Sequence, residues 1–184
     1  MNHKLLLDIN GLAGQNHFLD RIMVFCASYL IYVIFVVAAI CLGYLLYKRM
    51  WRETAYFMAT LAVSFMVSRL AGLIYVDHRP FVDYHLTQLI AHATGNSFPS
   101  DHTTAVAAIA VGLLYFTRFK RTGAIILVAA ILIGFSRIYV GVHYPIDILG
   151  GILSAVAGGI IVGIVRLLTE KNDSTQVGAD KSDS

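Results

Sequence analysis

Apolar runs of roughly 20 residues, parted by short charged patches, set the limits on this chain. At about 1.5 Å of rise per residue a helical run of that length crosses the hydrocarbon core of a bilayer, and a helix in the core of a soluble domain rarely stays apolar so long. Crossings are expected at about 22–47, 54–76, 103–117, 124–135 extending toward 142, and 146–168. Residues 1–21 mix Leu5, Leu6, Ile9, Leu12 and Phe18 with Lys4, Asp8, Asn16 and Asp20. They are too polar to span and read as an amphipathic interfacial segment. The expected fold is an all-α integral membrane protein, a bundle of about five transmembrane helices behind that segment. One membrane-embedded domain is expected over 1–169, and the Ser, Asp, Gln and Lys composition of 170–184 predicts a polar, disordered tail.

Composition narrows the function classes. The hydrophobic share is 58%, the charged share 14% and the formal net charge +3, with neither a Lys/Arg tract nor a basic and aromatic stripe, so no nucleic-acid partner is expected. Cys26 and Cys41 lie in one apolar run without metal-ligand or disulfide spacing and read as packing residues. No small-residue cleavage site follows the first apolar stretch, so no removable signal peptide is expected. Lys48, Arg49, Arg52, Arg118, Lys120, Arg121, Arg166 and Lys171 fall at helix ends on one side, which should be cytoplasmic. The connections 77–99 and 136–147 then share the opposite face.

Those two connections hold Arg, His and Asp at depths where ionisable groups are costly unless paired or functional. Arg79, Ser100, His102, Arg137, His143 and Asp147 together supply two guanidiniums, a hydroxyl, two imidazoles and a carboxylate. Such a set suits phosphoryl transfer. Two converging arginines match phosphate oxygens and neutralise the charge on the equatorial oxygens. Ser100 and Asp101 precede an apolar helix whose first backbone N–H groups can face an anion. His143 and Asp147 are four residues apart with Pro145 between them, which predicts one helix face on which the carboxylate orients the imidazole. His102, on another helix, is placed to protonate the departing oxygen.

The run Arg79-Pro80, then Pro99-Ser100-Asp101-His102, then Ser136-Arg137 followed by His143 and Asp147 resembles the three-part signature of the type 2 phosphatidic acid phosphatase superfamily. Within it, FPSDHTT, RPF and SRIYVGVHYPID are similar to the bacitracin-resistance type undecaprenyl-diphosphate phosphatases, and the likeness spans almost the whole chain. The resemblance implies that His143 forms a phosphohistidine, Asp147 orients it, His102 is the general acid, and Arg79, Ser100 and Arg137 bind phosphate, with Asp101 and Ser136 beside them. It also implies catalysis without metal or cofactor, a lipid diphosphate and water as reactants, and a multi-pass place in a bacterial plasma membrane with the site on the extracytoplasmic side.

Two positions depart from the superfamily pattern: Gly72 stands where a Lys is usual, and Asp101 where a Gly is usual. Arg69, about one helical turn before Gly72, is a candidate auxiliary cation if it points inward, and Asp101 is expected to cap its helix or pair with an arginine. His78, His85 and His92 recur every seven residues, but in a polar connection they are not read as metal ligands; headgroup contact is the other reading. Tyr75, Tyr139 and Tyr144 are expected to anchor helix ends at the interface. The expected activity is hydrolysis of undecaprenyl diphosphate, recycling the cell-wall lipid carrier and conferring bacitracin resistance. The alternatives are a phosphatase for phosphatidylglycerol phosphate, phosphatidate or lipid A, and a protein that binds or transports lipid phosphate without breaking it.

Overall fold

Eight helices make up the structure, a computed structural model that describes residues 2–180, with side chains described through residue 171. They are α1 (Asn2–Asn10), α2 (His17–Ser28), α3 (Leu30–Tyr47), α4 (Trp51–Ile74), α5 (Pro80–Asp83), α6 (Asp101–Phe116), α7 (Lys120–Tyr139) and α8 (Pro145–Asp180). No strand occurs among the described residues. Four helices, α3, α4, α7 and the described part of α8, are long and apolar enough to cross a membrane. At 16 residues α6 is shorter, about 24 Å long. It lies at the centre, against α3, α4, α7 and α8, and Val106, Ala107, Ala110 and Leu113 are sealed within the core. Exposed Ile74, Ile125, Val128 and Leu167 face outward from its neighbours, as a lipid-facing surface requires. The protein is a multi-pass membrane protein.

Small residues let the central helices approach closely, which in a bilayer takes the place of a solvent-driven core. A Cβ at Gly158 on α8 would collide with the side chain and backbone of Ser64 on α4, so the two helices approach there as closely as a glycine allows. Polar pairs reinforce the contact: Ser64 Oγ donates to the Ala155 carbonyl at 3.3 Å, and Ser68 and Thr104 share a hydrogen bond of 3.3 Å.

The expected helix at 22–47 is instead two helices, broken at Tyr29, whose φ of −115° interrupts the helical run. Nearby, the Ala27 carbonyl accepts a bond from Arg137 Nη1 at 3.2 Å, so a neighbouring helix engages the chain at the break. The expected disordered tail differs from the structure over 170–180, where the backbone of α8 continues as helix. At the start of that continuation Glu170 accepts from Arg166 Nε at 3.1 Å one turn back and from Arg52 Nη2 at 3.4 Å. Residues 181–184 of that tail lie outside the described residues.

α1 and α2 close one end of the bundle. Leu6 is fully buried against Ile138, Tyr144 and Ile148, while Leu5, Leu7 and Phe18 remain exposed on the other side of the segment. Asn10 acts as a clasp: its Nδ2 donates to the Thr87 and Tyr139 carbonyls at 3.0 and 2.8 Å, and its Oδ1 accepts from the Thr87 N–H at 3.0 Å. Tyr139 and Tyr144 are not interface anchors. Tyr139 is fully buried, with its hydroxyl 2.8 Å from Asp20 and 3.0 Å from the Leu12 carbonyl, and Tyr144 is buried beside Asp83. The N-terminal segment supplies the acceptors for Tyr139, and α5 supplies the one for Tyr144. Tyr75 stays about half exposed and bonds Asp77.

Candidate active site

Pro145 at the start of α8 fixes a helical first turn, and this puts Asp147 one turn from His143. The carboxylate is fully buried and gathers three donors on Oδ2: the Tyr144 N–H at 2.8 Å, the Ser97 hydroxyl, and His143 Nδ1 at 3.1 Å. Because Ser97 gives its only proton to Asp147, its Oγ, 3.3 Å from His143 Nδ1, faces that nitrogen as an acceptor. Both partners of Nδ1 therefore call for a proton there, and the lone pair sits on Nε2. Burial foremost, then Arg137 and Arg79, hold the His143 imidazole well below its ordinary value of 6.5, so it is neutral at physiological pH. A neutral imidazole with an oriented Nδ1–H and a bare Nε2 is a nucleophile.

Arg79 reaches this nitrogen from the connection after α4. Its Nη1 donates to His143 Nε2 at 3.1 Å and to the Val142 carbonyl at 3.1 Å. Arg137, from the last turn of α7, is 2% exposed and uses Nη1 on Ala27. Arg79 Nε, Arg137 Nε and Arg137 Nη2 are buried with no partner among the described residues. Unmet donors on buried cations are expensive, and an anion bound beside them removes that cost. Burial pulls the Arg79 guanidinium down from its usual range, with Asp147 and Asp101 opposing.

His102 lies in the first turn of α6, half-buried and within electrostatic reach of Arg137, His143, His92 and Arg79. Ser100 caps that helix: its Oγ accepts from the Thr103 N–H at 3.5 Å and the Thr103 hydroxyl at 3.2 Å, which leaves its own proton to give. Its backbone N–H donates to the Asp147 carbonyl at 3.0 Å and ties the starts of α6 and α8 together. The fold thus joins His143, Asp147, Arg79, Arg137 and His102, with Ser100 between the two helix starts.

Other expected members stand apart. Ser136 is buried, but its hydroxyl donates to the Ile133 carbonyl of its own helix at 2.7 Å, so its proton is committed. Asp101 pairs with Arg69, 3.1 Å from Nη2 to Oδ1, and Arg69 lies over the Phe65 ring at 4.5 Å. Both side chains are more than half exposed. Together with Arg79 and Asn96 they line a cavity of about 190 Å³ beside the site. At Gly72 an added Cβ would lie 3.0 Å from the Phe98 carbonyl, and Asn96 Nδ2 donates to the Gly72 carbonyl at 2.9 Å. The loop closes on this position and leaves no ready room for a longer side chain.

Sequence reasoning missed two loop residues, Ser97 and Asn96, and left a third, His92, as a headgroup contact. Ser97 bridges His143 and Asp147, Asn96 shapes the loop by also accepting from the Asp77 and Phe98 N–H groups, and His92 sets its ring 6.3 Å from that of His143. No spacing rule marks Ser97; its full burial shows only once the loop is folded.

A neutral, carboxylate-oriented imidazole between two arginines with unspent donors, at one end of an apolar helical bundle, defines a phosphate-handling membrane enzyme. A model of the PAP2 superfamily matches residues 53–172. Undecaprenyl-diphosphatase BcrC of Bacillus subtilis (strain 168) is 36% identical over 163 residues, 88% of this chain and 82% of that relative. Among solved structures, Aquifex aeolicus LpxE aligns with a TM-score of 0.70 and 27% identity over 88% of this chain and 93% of that one. A transmembrane PAP2 type phosphatidylglycerolphosphate phosphatase from Bacillus subtilis aligns with a TM-score of 0.62 and 25% identity over 92% and 86%. The chain belongs to the PAP2 superfamily.

Proposed function

We infer that this chain hydrolyses undecaprenyl diphosphate to undecaprenyl phosphate and inorganic phosphate, with His143 as the phosphate acceptor. The observation that carries the reading is the unprotonated Nε2 of His143, met by Arg79 Nη1, beside buried, unpartnered guanidinium nitrogens of Arg79 and Arg137. The terminal phosphoryl group sits among those donors, and Nε2 attacks phosphorus as the bond to the bridging oxygen breaks. Burial foremost, then the nearby cations, holds His102 below its ordinary value, and the bound phosphate that offsets those cations lets it carry the proton it gives to the departing lipid phosphate; Asp147 holds the imidazolium, and water then cleaves the phosphohistidine. Ser100 supplies a hydroxyl donor to the phosphate, while Arg69 and Asp101 border the approach.

An apolar groove of about 370 Å³ between α3, α4 and α6 supports a long hydrocarbon tail. Phe35, Met58, Leu61 and Phe65 line it, and Thr104 brings it within one turn of Ser100. The tail stays among apolar side chains and lipid while the diphosphate reaches the polar end. The basic residues at the other end favour a site on the extracytoplasmic side of a bacterial plasma membrane. There the reaction recycles the cell-wall lipid carrier and removes the ligand of bacitracin.

Purified protein incubated with undecaprenyl diphosphate, phosphatidate and phosphatidylglycerol phosphate, with and without chelator, tests the assignment. Fastest phosphate release from undecaprenyl diphosphate is the expected result. Preference for phosphatidylglycerol phosphate would favour the second reading, supported by the likeness to the Bacillus subtilis phosphatidylglycerolphosphate phosphatase. Lipid binding without phosphate release would mean a binding or transport protein. In cells, overexpression of wild type should raise bacitracin resistance, and overexpression of His143→Ala should not.

A further inference from the structure

We propose that His92 is a further catalytic residue of this pocket, the base that takes a proton from the water that hydrolyses the phosphohistidine. The inference rests on the reading of His143 as the phosphate acceptor. His92 comes from the connection between α5 and α6, a stretch without helix or strand, yet its ring stands edge-on to the His143 ring, 6.3 Å between centroids at an interplanar angle of 72°. Its Nδ1 lies 3.1 Å from the Ala93 carbonyl. A carbonyl only accepts, so Nδ1 carries the proton and the neutral ring presents Nε2 as a lone pair. Nothing else among the described residues bonds that nitrogen.

The surroundings favour the neutral ring. Burial foremost, then Arg79 and Arg137, lower His92 below 6.5, against the Ala93 bond and Asp101. The charged and titratable groups about it are therefore Arg79 from the loop after α4, Arg137 from α7, Asp101 and His102 from the start of α6, and His143 before α8. Bound phosphate offsets the two guanidiniums and raises the basicity of His92 at the moment a base is needed. His92 is half-buried whereas His143 is 2% exposed, so of the two rings His92 is the one that solvent can recharge and discharge.

Each step balances. In the first, the Nε2 lone pair of His143 forms the N–P bond, the bond to the bridging oxygen breaks, and His102 gives its proton to the departing lipid phosphate. In the second, water oxygen bonds phosphorus, the N–P electrons return to His143 Nε2, and the water proton passes to His92 Nε2. Solvent then takes the proton from His92 and restores the one on His102. Two histidines on different elements divide the proton traffic, one for each leaving event.

Rapid mixing of undecaprenyl diphosphate, labelled in the terminal phosphate, with the full chain in detergent tests the assignment when the reaction is quenched in alkali, where phosphohistidine survives. For His92→Gln we expect one equivalent of undecaprenyl phosphate formed at a rate close to wild type, accumulation of labelled protein, and steady-state phosphate release slowed by about 100-fold. Hydroxide needs no base, so raising the pH from about 7 to about 9 should speed release by this variant far more than by wild type. Slowing of both steps alike with no labelled protein, in His92→Gln and His92→Ala that keep the wild-type melting temperature, overturns the proposal. Unchanged turnover overturns it as well. If the variants unfold, accumulation of labelled protein by wild type in mild acid, which protonates the base, supports it, and its absence overturns it. No phosphate release from wild type would overturn the parent reading too, which separates the two failures.

Discussion

At the end of the bundle away from His143, Arg52 meets Glu170 at 3.4 Å with its side chain 66% exposed, Arg166 reaches the same carboxylate at 3.1 Å, and the Arg118 N–H meets Glu53 at 2.9 Å. At the end that holds His143, Arg137 is 2% exposed and His143 and Asp147 are sealed from solvent. The residue types overlap, but their surroundings reverse their meaning. Exposed pairs gain little from one another because water already solvates them, and the basic residues at this end are those expected on the cytoplasmic side. The buried set cannot use water, so each group must be met by protein or by ligand, and the groups left over mark what the site is built to hold.

The strongest way to break this contrast is His143→Ala. Phosphate release from undecaprenyl diphosphate by the purified variant should fall by about 10⁴-fold or more, since the attacking atom is gone. Retention of a tenth of the activity would show that the buried end is structural after all. Asp147→Asn should follow, with a loss of about 10²- to 10⁴-fold in kcat, because an amide no longer compels Nδ1 to carry the proton. Its melting temperature in detergent separates this loss from unfolding.

The pH profile sharpens the contrast on a smaller scale. His143 has its imidazole depressed below 6.5, so lowering the pH through 6.5 does not protonate the nucleophile; that limb belongs at a lower pH. From about pH 7.5 to about pH 5.5 the His143 imidazole, followed by NMR, should stay neutral, where an unperturbed histidine would become about nine-tenths protonated. At the exposed end, Arg52→Ala should change turnover less than about twofold and stability by no more than about 1 kcal/mol, read by activity and thermal unfolding. A larger loss there would erase the difference between the ends.

Local features were legible in the sequence and long-range ones were not. The five apolar runs fixed the bundle because length and hydropathy are properties of each segment alone, and the offset of four with Pro145 between fixed the His143–Asp147 pair. Ser100 as a cap follows from its place before an apolar helix. The break at Tyr29 was hidden inside a continuous apolar run, where Arg137 arrives from a segment more than a hundred residues away. Ser97 and His92 belong to a connection with neither helical nor strand periodicity, so nothing in their spacing tells which face of the loop turns inward. Burial of Tyr139 likewise depends on Asp20 and Leu12 coming back over it, and Ser136 lost its expected role to a carbonyl of its own helix.

The hydrogen bond from Arg79 to Nε2 of His143 means that the resting pocket keeps its own reactive atom capped. On the proposed reading, an anion that drew the guanidinium onto its oxygens would uncover the lone pair in one motion, so recognition and arming would be a single event. An uncharged headgroup would offer no oxygens able to compete for that guanidinium, and the cap would then stay in place.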